Sequence, residues 1–179
     1  MQLKATTILG IRKGKKVALG GDGQITLGDM AFKHGTRKVR KIFGDKVLAG
    51  FAGSAADSMT LLSMFEKKLE EFSGNLTRAA IELARKWRTE KYLRQLEAML
   101  IVMDAEKTFI INGSGEIIEP DDGVAAIGSG AGYALSAARA YIDGAKDMPP
   151  AKIVEKSLKI ASNICLYTND HITVLELQE

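Results

Sequence analysis

The hydrophobic pattern changes period four times along the chain. Thr7 to Ile11 and Lys16 to Gly20 are short β-prone runs around Lys13-Gly14, a spacing that predicts a hairpin. Val39 to Phe43 and Lys46 to Ala52 flank Gly44-Asp45 and predict a second one. From Ala56 to Phe72 the apolar residues recur at helical spacing, placing Met59, Leu62, Phe65 and Leu69 on one face. After the Ser73-Gly74-Asn75 break, a second helix is expected over Leu76 to Leu96, with Ala80, Leu83, Ala84 and Trp87 on its apolar face. Strands return at Ala98 to Met103, Thr108 to Asn112, Glu116 to Ile118 and Val124 to Ile127. Two more helices follow, Gly132 to Ile142 and Ala151 to Leu166, the latter opened by Pro149-Pro150. Ile172 to Leu177 alternates as a last strand.

Strands that follow one another through tight turns pair antiparallel, and paired helices then cover the sheet faces. The expected class is therefore α+β, a layered sandwich, rather than a doubly wound fold with single helices between strands. No Pro/Gly-rich linker or low-complexity stretch divides the 179 residues, so one domain is expected.

Composition narrows the function classes. A net charge of +3 is close to balance and points to neither a dedicated nucleic-acid binder nor a disordered tail. A lone cysteine, Cys165, excludes an intrachain disulfide and fits a reducing compartment. Met1 to Ala5 lack the apolar core of a secretory signal, and no apolar run reaches bilayer length, so the expected location is the cytoplasm, away from membranes. His34 and His171 are far apart in sequence and belong to no Cys/His cluster, so surface or structural roles are expected of them.

Familiar nucleophile arrangements are missing. Ser129 is flanked by Ile127 and Ala131 where a G-x-S-x-G elbow needs glycines. The run Gly128-Ser129-Gly130-Ala131-Gly132 follows a strand and opens a helix, as a phosphate-cradling loop would. Yet Tyr133 stands where the dinucleotide fingerprint wants glycine, and no Walker A lysine is present. A tight turn presenting Ser129 is the better reading; a nucleotide-binding module is the rival. Arg37-Lys38-Val39-Arg40-Lys41 could touch phosphates, but it is short and has no aromatic platform beside it. Asp22 in Gly21-Asp22-Gly23 reads as a turn residue and Thr6 as a strand residue.

One context gives these residues a common chemistry. Ala5-Thr6-Thr7-Ile8, Gly21-Asp22-Gly23-Gln24, Arg37 to Lys41 and Ala49-Gly50-Phe51-Ala52-Gly53, in that order, resemble the HslV (ClpQ) branch of the proteasome β-type threonine peptidases. The likeness continues through Arg94 to Leu100, Ile127 to Gly130 and Ile164-Cys165-Leu166-Tyr167-Thr168-Asn169, covering nearly the whole chain from Thr6. The resemblance implies a four-layer α/β/β/α sandwich of antiparallel sheets, of the N-terminal nucleophile hydrolase type. It implies a propeptide at 1–5 and a single threonine-peptidase domain at 6–179. Thr6 would be the nucleophile, its α-amine the base once the preceding peptide bond is cut. An α-amino group, with an ordinary pKa of about 8, suits that task. Lys38 would favour the alkoxide, Asp22 would orient Lys38, and Ser129 would complete the network near the amine. Backbone N–H groups within Gly50 to Gly53 would hold the oxyanion.

The resemblance further implies a monovalent cation, usually Na⁺, on the backbone carbonyls of Ser162, Cys165 and Thr168. It implies two stacked six-membered rings and an HslU (ClpY)-type AAA+ ATPase hexamer that delivers unfolded protein substrates. The chain would bind no ATP itself. Many members carry only an initiator methionine before the threonine, whereas five residues precede Thr6 here. A chain that kept them would lack the amine, leaving a catalytically silent ring subunit as the nearer rival.

Overall fold

Both hairpins form where the turn residues place them. In the computed structural model, which describes residues 6–177, β1 (Thr7–Lys13) turns into β2 (Lys16–Gly21), and β5 (Val39–Ile42) into β6 (Val47–Gly53). The second turn needs left-handed backbone at Phe43, Gly44 and Asp45, which suits its Gly-Asp centre. Between them lies a pair that the hydrophobic pattern did not predict: β3 (Ile25–Leu27) and β4 (Met30–Lys33) form a separate two-stranded ribbon. Its β4 is exposed throughout and so carries no alternation of burial to read.

The remaining strands are β7 (Ala98–Met103), β8 (Thr108–Asn112), β9 (Ile117–Ile118), β10 (Val124–Gly128) and β11 (Thr173–Glu176). They assemble two larger sheets, ordered β10-β1-β2-β11 and β5-β6-β7-β8-β9, with antiparallel pairing throughout. Helices α1 (Ala55–Glu71) and α2 (Leu76–Thr89) cover the five-stranded sheet; α3 (Ala131–Gly144) and α4 (Pro150–Ser162) cover the four-stranded one. The result is the expected four-layer α/β/β/α sandwich.

Three cores follow from those layers. Leu61, Phe65, Leu69, Leu83 and Trp87 meet Leu100, Val102 and Ile111 beneath α1 and α2. Ile8, Leu19, Leu48, Ile101 and Ile127 fill the space between the sheets. Leu9, Ile11, Ala138, Ile153, Val154 and Leu158 close the other side. β1 belongs to two of these cores because it sits inside its sheet: Ile8 faces the sheet–sheet core and Leu9 the helices.

Two helices end earlier than the apolar periodicity suggests. α2 stops at Thr89, where Glu90 turns to extended backbone, and Leu93–Gln95 form a separate 3-10 turn. α4 stops at Ser162, and the residues to Leu166 are a turn in which Leu166 is 85% exposed. On α1 the buried face is Ser58, Leu61, Leu62, Phe65 and Leu69; Met59 lies off it and is 43% exposed. Asn75 caps α2 by accepting the Arg78 N–H, so the Ser-Gly-Asn break is a turn and an N-cap together.

Phe65 is fully buried in the core beneath α1. Phe65→Ala should therefore lower unfolding free energy by about 3–5 kcal/mol, read as a reduced denaturation midpoint at unchanged slope.

Candidate active site

Four chain segments converge at one end of the sandwich, around the carboxylate of Asp22. It follows directly on β2, and its backbone N–H donates to the Thr7 carbonyl as the ladder to β1 ends. Its Oδ1 accepts the Thr7 N–H at 2.8 Å and the Lys38 ammonium at 2.9 Å. Oδ2 accepts the Gln24 N–H at 2.9 Å and, more loosely, the Asn169 N–H at 3.4 Å. Asp22 is 1% exposed and Lys38 3%, so this is a buried ion pair. Such a pair is tolerable only when its spare lone pairs and protons are satisfied, and here the carboxylate has a donor on every side.

Lys38 immediately precedes β5 and reaches the same Asp22 oxygen that holds the Thr7 N–H. Its ammonium donates to Asp22 and to the Gln24 carbonyl. Among the described residues no hydrogen bond joins it to the Thr6 hydroxyl, and an ammonium has three protons to give. Burial drives the Lys38 pKa below the ordinary lysine value, partly opposed by the charge and hydrogen bond of Asp22.

Thr6 is itself buried, 4% exposed, at the head of β1. Its carbonyl accepts the Ser129 N–H at 2.9 Å and the Ser129 hydroxyl at 3.3 Å. Ser129 thus meets Thr6 at its carbonyl. The approach requires glycine at 128: φ there is +93°, and an added Cβ would lie 1.9 Å from the Thr6 oxygen. The Gly130 N–H is likewise engaged, donating to Thr7 Oγ1 at 3.0 Å. Two amides of the glycine-rich turn are therefore committed to holding the start of β1, an arrangement that argues against a phosphate cradle.

Thr6, Asp22, Lys38 and Ser129, distant in sequence, lie at one locus. Sequence reasoning gave no side-chain role to the residues that hold them. Thr7 Oγ1 and Thr168 Oγ1 share a 2.6 Å hydrogen bond, both buried. Gln24 ties Lys38 to the 166 turn by donating from its amide to the Leu166 carbonyl at 2.8 Å. Asn169 accepts the Gly23 N–H at 3.0 Å and donates to the His34 carbonyl at 3.0 Å. Their one sequence signal was proximity to the motif residues. In the Gly50 to Gly53 stretch, the Phe51 N–H donates to the Lys38 carbonyl, so it is not available to an oxyanion. The propeptide boundary expected at 1–5 lies outside the described residues.

Ser162, Cys165 and Thr168 lie on the turn that leaves α4. The Cys165 carbonyl accepts the Thr168 N–H at 3.1 Å, and that bond shapes the turn. Among the described residues no group of three His, Cys, Asp or Glu gathers as a metal site, so any cation here would rest on carbonyl oxygens. A carbonyl has two lone pairs, so the Cys165 oxygen keeps one beyond the Thr168 N–H.

A four-layer antiparallel sandwich with a threonine at the head of its first strand, backed by a buried Asp–Lys pair, defines a proteasome-type fold. The chain belongs to the proteasome subunit family, whose sequence profile matches residues 3–177. It is similar to eukaryotic HslV from Trypanosoma brucei, a crystal structure with 47% sequence identity and a TM-score of 0.91. That likeness covers 97% of this chain and 99% of the other. Among the described residues no helix is long and apolar enough to cross a membrane.

The depressed Lys38 pKa makes a signed prediction. The folded state binds this proton less tightly than the unfolded state, so Lys38's contribution to stability rises with pH as the solution approaches the ordinary lysine value of about 10.4. Denaturant unfolding of wild type and Lys38→Met from pH 7.5 to 10.5 should show the difference moving in favour of wild type as pH rises.

Proposed function

We propose that the chain is a threonine endopeptidase, the proteolytic subunit of an ATP-dependent protease in the cytoplasm. The observation that carries this reading is the buried Thr6 directly ahead of Thr7, whose N–H shares Asp22 Oδ1 with the Lys38 ammonium. Residues 1–5 act as a propeptide, and their removal frees the Thr6 amine; residues 6–179 are the peptidase domain.

The Thr6 hydroxyl adds to the scissile carbonyl while the α-amine accepts its proton. The tetrahedral intermediate collapses to an ester on Thr6 Oγ1 as the amine returns that proton to the leaving peptide nitrogen. Water, deprotonated by the same amine, then hydrolyses the ester. Lys38 keeps a proton to direct at the hydroxyl oxygen, and its charge stabilises the developing alkoxide in a dry site. Asp22 holds Lys38 in place and fixes the backbone of Thr7. Ser129 anchors the Thr6 carbonyl, so the nucleophile cannot swing away from Lys38. Gly50, Ala52 and Gly53 remain the backbone donors proposed for the oxyanion.

Na⁺ on the Ser162, Cys165 and Thr168 carbonyls would stiffen the turn that delivers Thr168 Oγ1 to Thr7. Such a cation would supply positive charge to those carbonyls and take no part in proton transfer. The sequence carries no Walker A motif, and Thr6 and the Asp22–Lys38 pair are buried. An AAA+ hexamer of the HslU (ClpY) type, docked on stacked six-membered rings of this chain, would unfold and deliver substrate. It can activate the site only by binding the competent conformation more tightly than the resting one.

The test is peptide hydrolysis by Thr6 variants in the presence of that ATPase. Thr6→Ala should abolish turnover without disturbing assembly, and Thr6→Ser should retain part of it, since it keeps hydroxyl and amine. Substantial hydrolysis by Thr6→Ala would overturn the mechanism; an inert wild type carrying intact residues 1–5 would favour the silent ring subunit.

A further inference from the structure

The chain has two histidines, and the fold brings them together from positions 137 residues apart. His34 follows β4 and His171 precedes β11. Both are exposed, with ring centroids 6.1 Å apart and planes crossing at 72°. Their meeting is built by the backbone. His171 Nδ1 lies 3.0 Å from the His34 carbonyl, which also accepts the Asn169 side-chain amide at 3.0 Å. Asn169 Oδ1 in turn accepts the His171 N–H at 3.3 Å and the Gly23 N–H at 3.0 Å. Residue 23 must be glycine for this packing, since a Cβ there would lie 2.2 Å from the His34 oxygen.

A carbonyl can only accept, so the neutral His171 ring carries its proton on Nδ1 and offers the Nε2 lone pair outward. A histidine whose second nitrogen donates to a backbone carbonyl has the tautomer and orientation of a metal ligand. Two imidazoles on one tetrahedral ion, with metal–nitrogen bonds of about 2.0–2.1 Å, have centroids about 5 Å apart. The observed separation is within a side-chain rotation of that. Asp170, between Asn169 and His171, adds negative charge to the same turn.

We propose that His34 and His171 form a two-histidine site for a borderline divalent transition-metal ion of the Zn²⁺ class, with water completing the coordination sphere. Among the described residues no third His, Cys, Asp or Glu joins them, so the ion is exchangeable rather than structural. It would link the segment after β4 to the turn before β11, and Asn169 joins that turn to Asp22. The site is independent of the peptidase reading.

The experiment is titration of the purified full chain with Zn²⁺ at pH 7.5, followed by calorimetry, for wild type, His34→Ala and His171→Ala. The His34 variant decides the matter, because His34 enters the hydrogen-bond network through its backbone carbonyl and its ring can be removed without breaking those bonds. One saturable event per chain is expected in wild type, weakened at least about tenfold in either variant. Zn²⁺ should raise the thermal midpoint of wild type and not that of His34→Ala. Absence of saturable binding, or equal affinity in wild type and His34→Ala, would overturn the proposal.

Discussion

The Asp22–Lys38 ion pair is the interaction on which the rest of the site depends. Burying two charges is unfavourable unless geometry and hydrogen bonds compensate, and removing one partner of such a pair typically costs about 3–5 kcal/mol. Here the compensation reaches outward into four segments. The carboxylate takes the Thr7 N–H from β1, the Gln24 N–H from its own loop, the Lys38 ammonium from the approach to β5 and the Asn169 N–H from the turn before β11. Satisfying the charge and positioning Thr6 are therefore the same requirement. The lysine pays in proton affinity, its pKa pushed down by burial despite the facing carboxylate.

The sandwich makes that convergence possible. β1 lies between β10 and β2, so its first residues are held from both sides. The β10 end supplies Gly128 and Ser129 to the Thr6 carbonyl; the β2 end supplies Asp22 to the Thr7 amide. Lys38 leads into the other sheet, whose β5 packs across the shared core through Val39. Thr6 thus sits where two sheets meet, and relative movement of the sheets would shift it against Lys38.

Much of this was legible in the residues. The two early hairpins, the helix pairs and the last strand follow from turn chemistry and periodicity, whereas Thr6, Asp22, Lys38 and Ser129 follow from the resemblance to the HslV branch and not from pattern. Boundaries differ where apolar residues continue past a helix: a 3-10 turn and the chain beyond it, not a continuation of α2, carry Leu93 and Leu96 into the core, while Ile164 and Leu166 are exposed on a turn. Met59 was misplaced because an apolar residue beside a buried face looks, in sequence, like part of it. The β3–β4 ribbon, the Thr7–Thr168 hydroxyl pair and the His34–His171 contact were illegible for a common reason. Each depends on long-range placement or main-chain acceptors, neither of which has a side-chain signature. His171 reads as a solitary residue until β11 brings it to the His34 carbonyl.

The proposed peptidase reaction needs the amine of Thr6, not merely its hydroxyl. Asp22, Lys38 and Ser129 can position and polarise, but none of them is placed as a conventional base: Lys38 is engaged with the carboxylate, and Ser129 binds a carbonyl. The most direct measurement is the intact mass of the chain in a preparation that hydrolyses peptide, with turnover followed as the species change. The account predicts that activity tracks the species beginning at Thr6, lighter than the full chain by residues 1–5. Turnover by a homogeneous chain still carrying Met1 to Ala5 would contradict it.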